Sequence, residues 1–351
     1  MCQFKKRGFI RMSGSRQENR KQIKKKKLKY YIGIPILVIL IATLSYGGYL
    51  FYKAQDVVND SYVGLDRDKD KNPDKVKVDN VSILIAGVDT GGSRGDSLGT
   101  RTDALMVATF NKDTKSIKLL SIPRDTYTYI PRKEYKDKIN HAYGAGGIES
   151  SIETVEELLD IPIDYYVQLN FNAFIEIVDA LGGIYVDVPI SFTEQDSNDT
   201  AGAITLEKGY QLLNGEQALA LARTRKIDSD IERGKRQQLI VEAIANRALS
   251  SSSLFKYADV LDAVGKNLTT NLTFSEMAAF AKYFSTSDGL DIESLNIKGY
   301  DSYKKGIYYY ELDEQDLHDK QQILQAHLGL IDPLPEEPAD STTDTNTEEN
   351  E

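Results

Sequence analysis

Three apolar runs decide the fold of this chain: VSILIAGV at residues 81–88, ALMVATF at 104–110 and IKLLSI at 117–122. Each is short and rich in branched apolar residues, which predicts buried strands. The polar turn NKDTK at 111–115 joins the second run to the third and predicts an antiparallel hairpin. If the first run also pairs antiparallel with the second, one rim of the sheet holds the end of strand one, the start of strand two and the end of strand three.

Charged residues occupy all three places on this rim. Asp89 follows the first run, Arg101 and Asp103 precede the second, and Arg124 and Asp125 follow the third. Two carboxylates that face each other across a strand pair, here Asp89 and Asp103, can hold Mg²⁺ together with substrate phosphate. The alternative is that Asp89 is an ordinary turn residue of the glycine-rich loop, and the sequence leaves both open.

A second cluster of charge lies in LARTRKIDSDIERGKRQQ at 221–238. Arg223 and Arg225 are two apart, so in an extended segment both side chains leave the same face. The residues at 228–230 are good N-caps and predict a helix start. That helix places three side chains on one face of its first turns: Arg233, Arg236 and Gln237. Guanidinium groups beside a helix N-terminus suit phosphate, so we predict a pyrophosphate clamp; a solvated charged helix is the alternative.

The segment KINHAYGAGG at 138–147 contains two further candidate site residues, Lys138 and His141. Lys138 is placed to reach a phosphate. His141 is either a base or, as is commoner for a lone histidine before a helix, a structural residue.

Charge is distributed unevenly along the 351 residues, whose net charge is −10. Residues 1–29 carry twelve Lys or Arg and one Glu, residues 30–52 carry no charge, and residues 332–351 carry eight acids and no base. The body between them is acidic, which argues against nucleic acid as a partner. The single cysteine, Cys2, excludes an internal disulfide and a cysteine-built metal site.

The uncharged stretch at 30–52 is long enough to cross a bilayer, about 34 Å as a helix against a core of about 30 Å. Tyrosines lie towards both of its ends, and the basic segment before it predicts a cytoplasmic N-terminus. We therefore predict a basic cytoplasmic segment at 1–29, a transmembrane anchor at 30–52, a stalk at 53–79, an extracytoplasmic domain at 80–331 and an acidic disordered tail at 332–351. A cleaved signal peptide is the alternative to the anchor.

Strand and helix patterns alternate through the body. Strands are predicted at 165–171 and 184–188, and helices at 148–159, 173–181 and 214–222. This alternation predicts a layered α/β domain.

The motifs together resemble those of the LytR-CpsA-Psr family of cell-envelope glycopolymer ligases, over about residues 80–330. The residues that carry the resemblance are GVD at 87–89, RTD at 101–103, SIPRD at 121–125, KINHAY at 138–143 and RTR at 223–225 with the acidic and basic residues that follow. The family implies a three-layer α/β/α fold with a mixed central sheet that buries a polyprenyl chain between sheet and helices. It also implies a single membrane anchor, with the C-terminal domain outside the cell membrane of a Gram-positive bacterium.

The resemblance further implies an enzyme, a Mg²⁺-dependent phosphotransferase. It would move a teichoic acid, capsular or secondary wall polysaccharide from an undecaprenyl-pyrophosphate carrier to the 6-hydroxyl of N-acetylmuramic acid in peptidoglycan. Asp89 and Asp103 match the Mg²⁺-linked carboxylates of the family, and five residues match those that contact the pyrophosphate: Arg124, Arg223, Arg225, Arg233 and Gln237. Asp125 and Asp103 are both candidates for a general base. A regulatory module that binds a lipid pyrophosphate and a polyprenyl-pyrophosphate-glycan pyrophosphatase are the alternative functions.

Overall fold

The computed structural model describes residues 47–50, 52–66, 80–88, 101–224, 230–249, 260, 268–285 and 291–334. The chain divides into two compact units, Met1–Lys53 and Ala54–Glu351. The described residues of the first unit, 47–50 with 52 and 53, are helical. None of the helices in the described ranges combines the length and the apolar content needed to cross a bilayer. The predicted segment 1–29 and most of the predicted anchor and acidic tail lie outside the described residues.

The second unit contains a central sheet with flanking helices and small hairpins. Its strands are β1 Val81–Val88, β2 Thr102–Asn111, β3 Ser116–Ser121, β4 Tyr127–Ile130, β5 Tyr135–Lys138, β6 Tyr165–Asn170, β7 Ile184–Val188, β8 Phe192–Glu194, β9 Ile204–Leu206, β10 Gly209–Leu213, β11 Leu268–Thr270, β12 Asp291–Asn296, β13 Gly299–Lys304 and β14 Ile307–Leu312. Its helices are α1 Gly147–Leu159, α2 Phe171–Ala180, α3 Gly215–Arg223, α4 Asp230–Leu249, α5 Phe274–Ser285 and α6 Glu314–Leu328.

The central sheet has six strands in the order β11-β6-β1-β2-β3-β12. β2 is antiparallel to both β1 and β3, so both predicted pairings are confirmed. β6 is parallel to β1, and β12 is parallel to β3. Four strands therefore run in one direction, and their carboxyl ends meet at one rim, where α/β proteins commonly bind ligands. The predicted α/β class with a mixed central sheet is confirmed.

The two faces of this sheet are covered differently. On one face Leu84, Leu105 and Leu120 are almost fully buried in a core that also includes residues of α1 and α6. On the other face Phe110 is buried beside α5, while neighbouring apolar side chains such as Ile85 are only partly buried. This difference follows the alternation of side chains along each strand.

Helix α4 crosses the sheet beside β3 and β12, and two of its residues fix how closely it packs. A Cβ on Gly234 would lie 2.6 Å from Ser121 Oγ, so only glycine permits this approach without a shift. One turn further on, Gln238 Nε2 donates to Leu119 O at 2.8 Å and to Leu295 O at 2.7 Å. The first turns of α4 are thereby held against the last residue of β3.

Helix starts follow local capping chemistry. Asn214 and Gln217 form a reciprocal capping box at the start of α3, and the Asn170 side chain accepts from Ala173 N at the start of α2. Because Asn170 is also the last residue of β6, this cap places the start of α2 at the rim.

The segment predicted as a stalk is in part folded onto the domain. Residues 54–61 are helical, and Val58 and Leu65 are buried. Val63 N donates to Thr270 O at 2.8 Å, and Tyr166 Oη donates to Val63 O at 2.8 Å. Residues 54–66 of the predicted stalk therefore pack on the domain through two apolar side chains and the backbone, and residues 67–79 lie outside the described residues.

Candidate functional site

Arg124 is the central cation of the rim. It lies three residues after the end of β3, and its Nη1 donates to the Asp103 carboxylate at the start of β2. Its Nε lies 3.5 Å from Asp125 Oδ2. Its side chain remains about one quarter exposed. The antiparallel β2–β3 pair thus brings Asp103 of one motif beside Arg124 and Asp125 of another, as the sequence pattern anticipates.

Asp125 is buried and joins Arg124 to Lys138, whose Nζ donates to Asp125 Oδ1 at 2.7 Å. Two backbone hydrogen bonds join the neighbouring segments: Asn140 N donates to Arg124 O at 3.2 Å, and Ile139 N donates to Thr126 O at 2.8 Å. A buried carboxylate that faces two cations fixes the position of both.

Arg223 reaches the same rim from another direction. Its guanidinium lies 5.1 Å from the centre of the Phe171 ring. Phe171 is the first residue after β6. Its Nη atoms lie 3.5 Å from Asp196 O and 3.5 Å from Asp199 Oδ1. The sequence predicts an extended segment here, but Arg223 is the last residue of α3, and Thr224 is its C-cap.

Arg233, Arg236 and Gln237 lie on α4 as predicted, but their surroundings differ. Arg233 is buried on the turn where Gly234 packs against β3. Arg236 is also buried; its Nε donates to Leu221 O at 3.2 Å and its Nη2 to Thr224 O at 2.7 Å. Gln237 Nε2 donates to Ala222 O at 3.2 Å.

Arg236 and Gln237 therefore satisfy the carbonyls at the end of α3, which have no partners within that helix. These contacts give both residues a structural task that the sequence pattern does not reveal. They also hold Arg223, the last residue of α3, against the second turn of α4.

Two of the predicted site residues, Asp89 and Arg225, lie outside the described residues. Arg101 is described and exposed, immediately before β2. Within the described ranges no group of three or more His, Cys, Asp or Glu side chains is arranged to hold a metal. Asp103 offers a partly exposed carboxylate, the oxygen donor that Mg²⁺ prefers, and Arg124 contacts one of its two oxygens. The donor chemistry fits Mg²⁺ if a second carboxylate completes the set.

His141 has a structural environment. Its Nδ1 lies 2.9 Å from Asp137 Oδ2, which also accepts from Lys133 Nζ at 3.0 Å. Burial raises the pKa of Asp137, but hydrogen bonds from His141, Lys133 and the Lys138 backbone outweigh it, and the net pKa is lowered. This ionised aspartate fixes His141, in agreement with the structural alternative.

Beneath the rim, the face of the sheet towards α5 is apolar and incompletely covered by described residues. The alanines Ala104 and Ala108 lie on this face beside the backbone of Gly87, with the buried side chain of Met106 between them. Ile85 and Leu169 flank them and are partly exposed. Small residues in the middle of a sheet leave room for an apolar ligand between sheet and helix.

Comparison with known proteins gives three findings. The LytR_cpsA_psr family matches residues 48–326. The polyisoprenyl-teichoic acid–peptidoglycan teichoic acid transferase TagT of Bacillus subtilis (strain 168) is 38% identical over 326 residues, 90% of this chain and 99% of the relative. A solved structure described as TagT bound to LIIa-WTA superposes with a TM-score of 0.63 at 37% identity, over 76% of this chain and 99% of that one.

A further solved structure, TagT with bound octaprenyl pyrophosphate lipid, has a TM-score of 0.59 and 34% identity over 76% of this chain and 99% of that chain. The ligand of that protein joins an apolar chain to a pyrophosphate. The same two chemistries adjoin here, at the apolar face of the sheet and at the cationic rim.

Proposed function

This chain belongs to the LytR_cpsA_psr family, and from that premise we propose that it is a phosphotransferase. It transfers a teichoic acid or related anionic glycopolymer from a polyprenyl-pyrophosphate carrier, undecaprenyl pyrophosphate in the cell, to peptidoglycan. The single observation that carries the proposal is the cationic rim, where Arg124, Lys138 and Arg223 lie at the carboxyl ends of the strands above an apolar sheet face.

The rim supplies what phosphoryl transfer requires. Such transfer depends mainly on positioning and on stabilising charge at the phosphoryl oxygens. Arg124, Arg223, Arg225 and Arg233 donate to the non-bridging oxygens of the pyrophosphate, with Lys138 and Arg101 at the edge of the site. Guanidinium groups suit this role because their donors form a rigid fork that matches phosphate.

The reaction is a substitution at the phosphorus that carries the glycopolymer. A sugar hydroxyl of peptidoglycan attacks that phosphorus and forms the new P–O bond, while the bond to the bridging oxygen of the pyrophosphate breaks. Polyprenyl phosphate leaves with the bridging oxygen and its electron pair. The cations of the rim stabilise the charge that develops on the leaving group.

Asp125 is better suited to position the cations than to accept the proton of the hydroxyl. Its two oxygens already face Lys138 and Arg124, and it is buried. A carboxylate held by two cations is a weak base. Asp103 is more exposed, but it contacts Arg124 and is also proposed to hold Mg²⁺, so neither carboxylate is assigned as the general base. Arg236 and Gln237, predicted to bind pyrophosphate, are assigned here to positioning Arg223 through the end of α3.

Mg²⁺ is the proposed cofactor, held by Asp103 together with Asp89. When bound it would neutralise charge on the pyrophosphate oxygens. Asp103 would offer the ion the carboxylate oxygen that Arg124 does not contact.

The carrier's apolar chain is proposed to lie along the incompletely buried face of the sheet. Alanines and Gly87 give the space, and Ile85 and Leu169 give apolar walls. We also propose that residues 30–52 anchor the chain in the cell membrane with the N-terminus inside and the domain outside, because the carrier is itself a membrane lipid.

Reconstitution distinguishes this proposal from the two other functions. Full-length protein in detergent is incubated with a synthetic polyprenyl-pyrophosphate oligosaccharide, Mg²⁺ and peptidoglycan oligomers, and the products are identified by mass spectrometry. A phosphodiester-linked oligosaccharide on peptidoglycan is expected, with one polyprenyl phosphate released per transfer. Free oligosaccharide phosphate would indicate a pyrophosphatase, and binding without any product would indicate a regulatory module.

A further inference from the structure

The outer face of the β4–β5 hairpin alternates tyrosine and lysine. In the antiparallel register Tyr127 stands opposite Lys138, and Tyr129 stands opposite Lys136. Of the intervening residues, Thr128 and Ile130 of β4 are buried, whereas Tyr135 of β5 is 55% exposed. Tyr129 and Lys136 are exposed. One hairpin therefore presents aromatic rings and ammonium groups side by side to solvent.

The β13–β14 hairpin extends this face. Tyr310 N donates to Asp125 O at 2.9 Å, which ties β14 to the start of β4. The ring of Tyr309 meets the ring of Tyr127 edge-on, with centroids 4.9 Å apart. Lys304 Nζ lies 4.5 Å from the centre of the Tyr127 ring. Tyr300 shares the face of Lys304 by register and is 59% exposed.

These side chains form one surface, which we call the tyrosine platform: Tyr127, Tyr129, Lys136, Tyr300, Lys304 and Tyr309. Lys138 connects it to the candidate site. Its Nζ lies 5.6 Å from the centres of both the Tyr308 and the Tyr309 rings, and it donates to Asp125. A polymer lying on the platform would thus have one end beside the cationic rim.

We propose that the tyrosine platform binds the glycan strand of the acceptor peptidoglycan, an inference that rests on the proposed function. The apolar C–H faces of sugar rings pack on the faces of tyrosine rings, whose hydroxyls remain free to bond to sugar hydroxyls. Lys136 meets the carboxylates of the stem peptides. The platform orients the strand so that a sugar hydroxyl arrives at the rim.

The charge of the platform favours the acceptor glycan strand over the donor polymer as its ligand. Lys304 is paired with Glu311 at 3.0 Å, so Lys136 supplies the net positive charge of these groups. A teichoic acid chain carries a phosphate in each repeat and would meet Glu311 as a repelling neighbour. A glycan strand is built mainly of uncharged rings with scattered carboxylates, which suits four tyrosines and about one unit of net positive charge.

The test uses full-length protein with the double change Tyr129→Ala and Tyr300→Ala. Both side chains are exposed, so the fold should be retained, and circular dichroism checks it. Transfer is measured against increasing peptidoglycan and, separately, against increasing lipid-linked donor. We expect the KM for peptidoglycan to rise at least tenfold, with kcat and the donor KM within twofold of wild type. Tyr129→Phe with Tyr300→Phe should restore most of the acceptor affinity, because the rings remain.

Tyr210→Ala is the matched control, since Tyr210 is 74% exposed on β10 and stacks on Tyr185 away from the platform strands. Its kinetics should equal those of wild type. An unchanged peptidoglycan KM in the double alanine variant would overturn the proposal. A rise in the donor KM alone would assign the platform to the donor polymer, and lost binding to anionic lipid vesicles with an unchanged acceptor KM would assign it to the membrane.

Co-sedimentation with peptidoglycan stripped of wall polymers keeps this test separate from the proposed function. If wild type forms no transfer product at all, the phosphotransferase proposal fails. The platform would still be supported if wild type sediments with peptidoglycan and the double alanine variant does not. Equal sedimentation of both proteins would contradict it.

Discussion

Replacing Arg236 tests whether this arginine is structural, as its contacts indicate. Its guanidinium is buried and donates to Leu221 O and Thr224 O, at the end of α3. Arg236→Met keeps much of the apolar stem and removes both donors. A hydrogen bond from a charged donor contributes about 1.5–3 kcal/mol, so two of them, with two carbonyls left buried, correspond to a loss of about 3–5 kcal/mol.

The assay is urea unfolding of full-length protein in a fixed detergent, followed by far-UV circular dichroism. Lys235→Met is the control, because Lys235 is exposed and forms a surface ion pair with Glu232 at 2.7 Å; its cost should be below about 0.5 kcal/mol. If the free energy of unfolding of Arg236→Met is within about 1 kcal/mol of the wild-type value, the capping argument is wrong. If it also loses pyrophosphate binding while remaining stable, Arg236 belongs to the clamp, as the sequence pattern alone suggests.

Three further predictions concern pH, metal and topology. Burial, and after it the charge of Lys118, lowers the pKa of His327 to about 4 in the folded protein. As the pH falls below about 6.5, this histidine is protonated in the unfolded chain before it is protonated in the folded one. The free energy of unfolding should therefore fall by up to about 3 kcal/mol between pH 6.5 and pH 4. His327→Gln should flatten that part of the pH profile in urea titrations, and an unchanged slope would contradict it. Asp103→Ala should raise the Mg²⁺ concentration needed for half-maximal transfer at least tenfold without unfolding the domain; equal Mg²⁺ titrations would remove Asp103 from the metal site. Protease added to intact protoplasts should cleave the domain and leave a short membrane-bound stub, whereas survival of the whole chain would show the opposite orientation.

The sheet and its rim could be predicted because local signals specify them. Short apolar runs with a polar turn define β1, β2 and β3, and antiparallel pairing then places Asp103 and Arg124 together. The contact between these two residues follows from strand direction alone. No information from distant parts of the chain is needed for it.

The β4–β5 hairpin and the role of Arg236 could not be predicted, since their causes are tertiary. β4 and β5 are short and mix tyrosine with lysine, so neither apolar periodicity nor a turn motif marks them. Arg236 shares a helical face with Arg233, and only the position of α3 shows that its donors reach carbonyls. A charged pattern does not distinguish a ligand site from a buried cap.

The contact between Arg223 and the Phe171 ring could not be predicted from the sequence either. Its only signal is an aromatic residue directly after a strand, which is common in cores. The contact depends on β6 and α3 ending at the same rim, and that follows from the parallel pairing of β6 with β1.

The central claim is that the rim arginines clamp a pyrophosphate through their forked donors, and conservative substitution tests it most directly. Arg124→Lys and Arg223→Lys keep the charge but lose the fork. Rates of glycopolymer transfer to peptidoglycan are measured at saturating Mg²⁺, with Lys235→Arg as control. A 10²- to 10³-fold loss in each rim variant, with a melting temperature near that of wild type, is expected from removal of an oxyanion donor, on the order of 3–4 kcal/mol. Wild-type rates in both rim variants, or an equal loss in Lys235→Arg, would contradict the clamp.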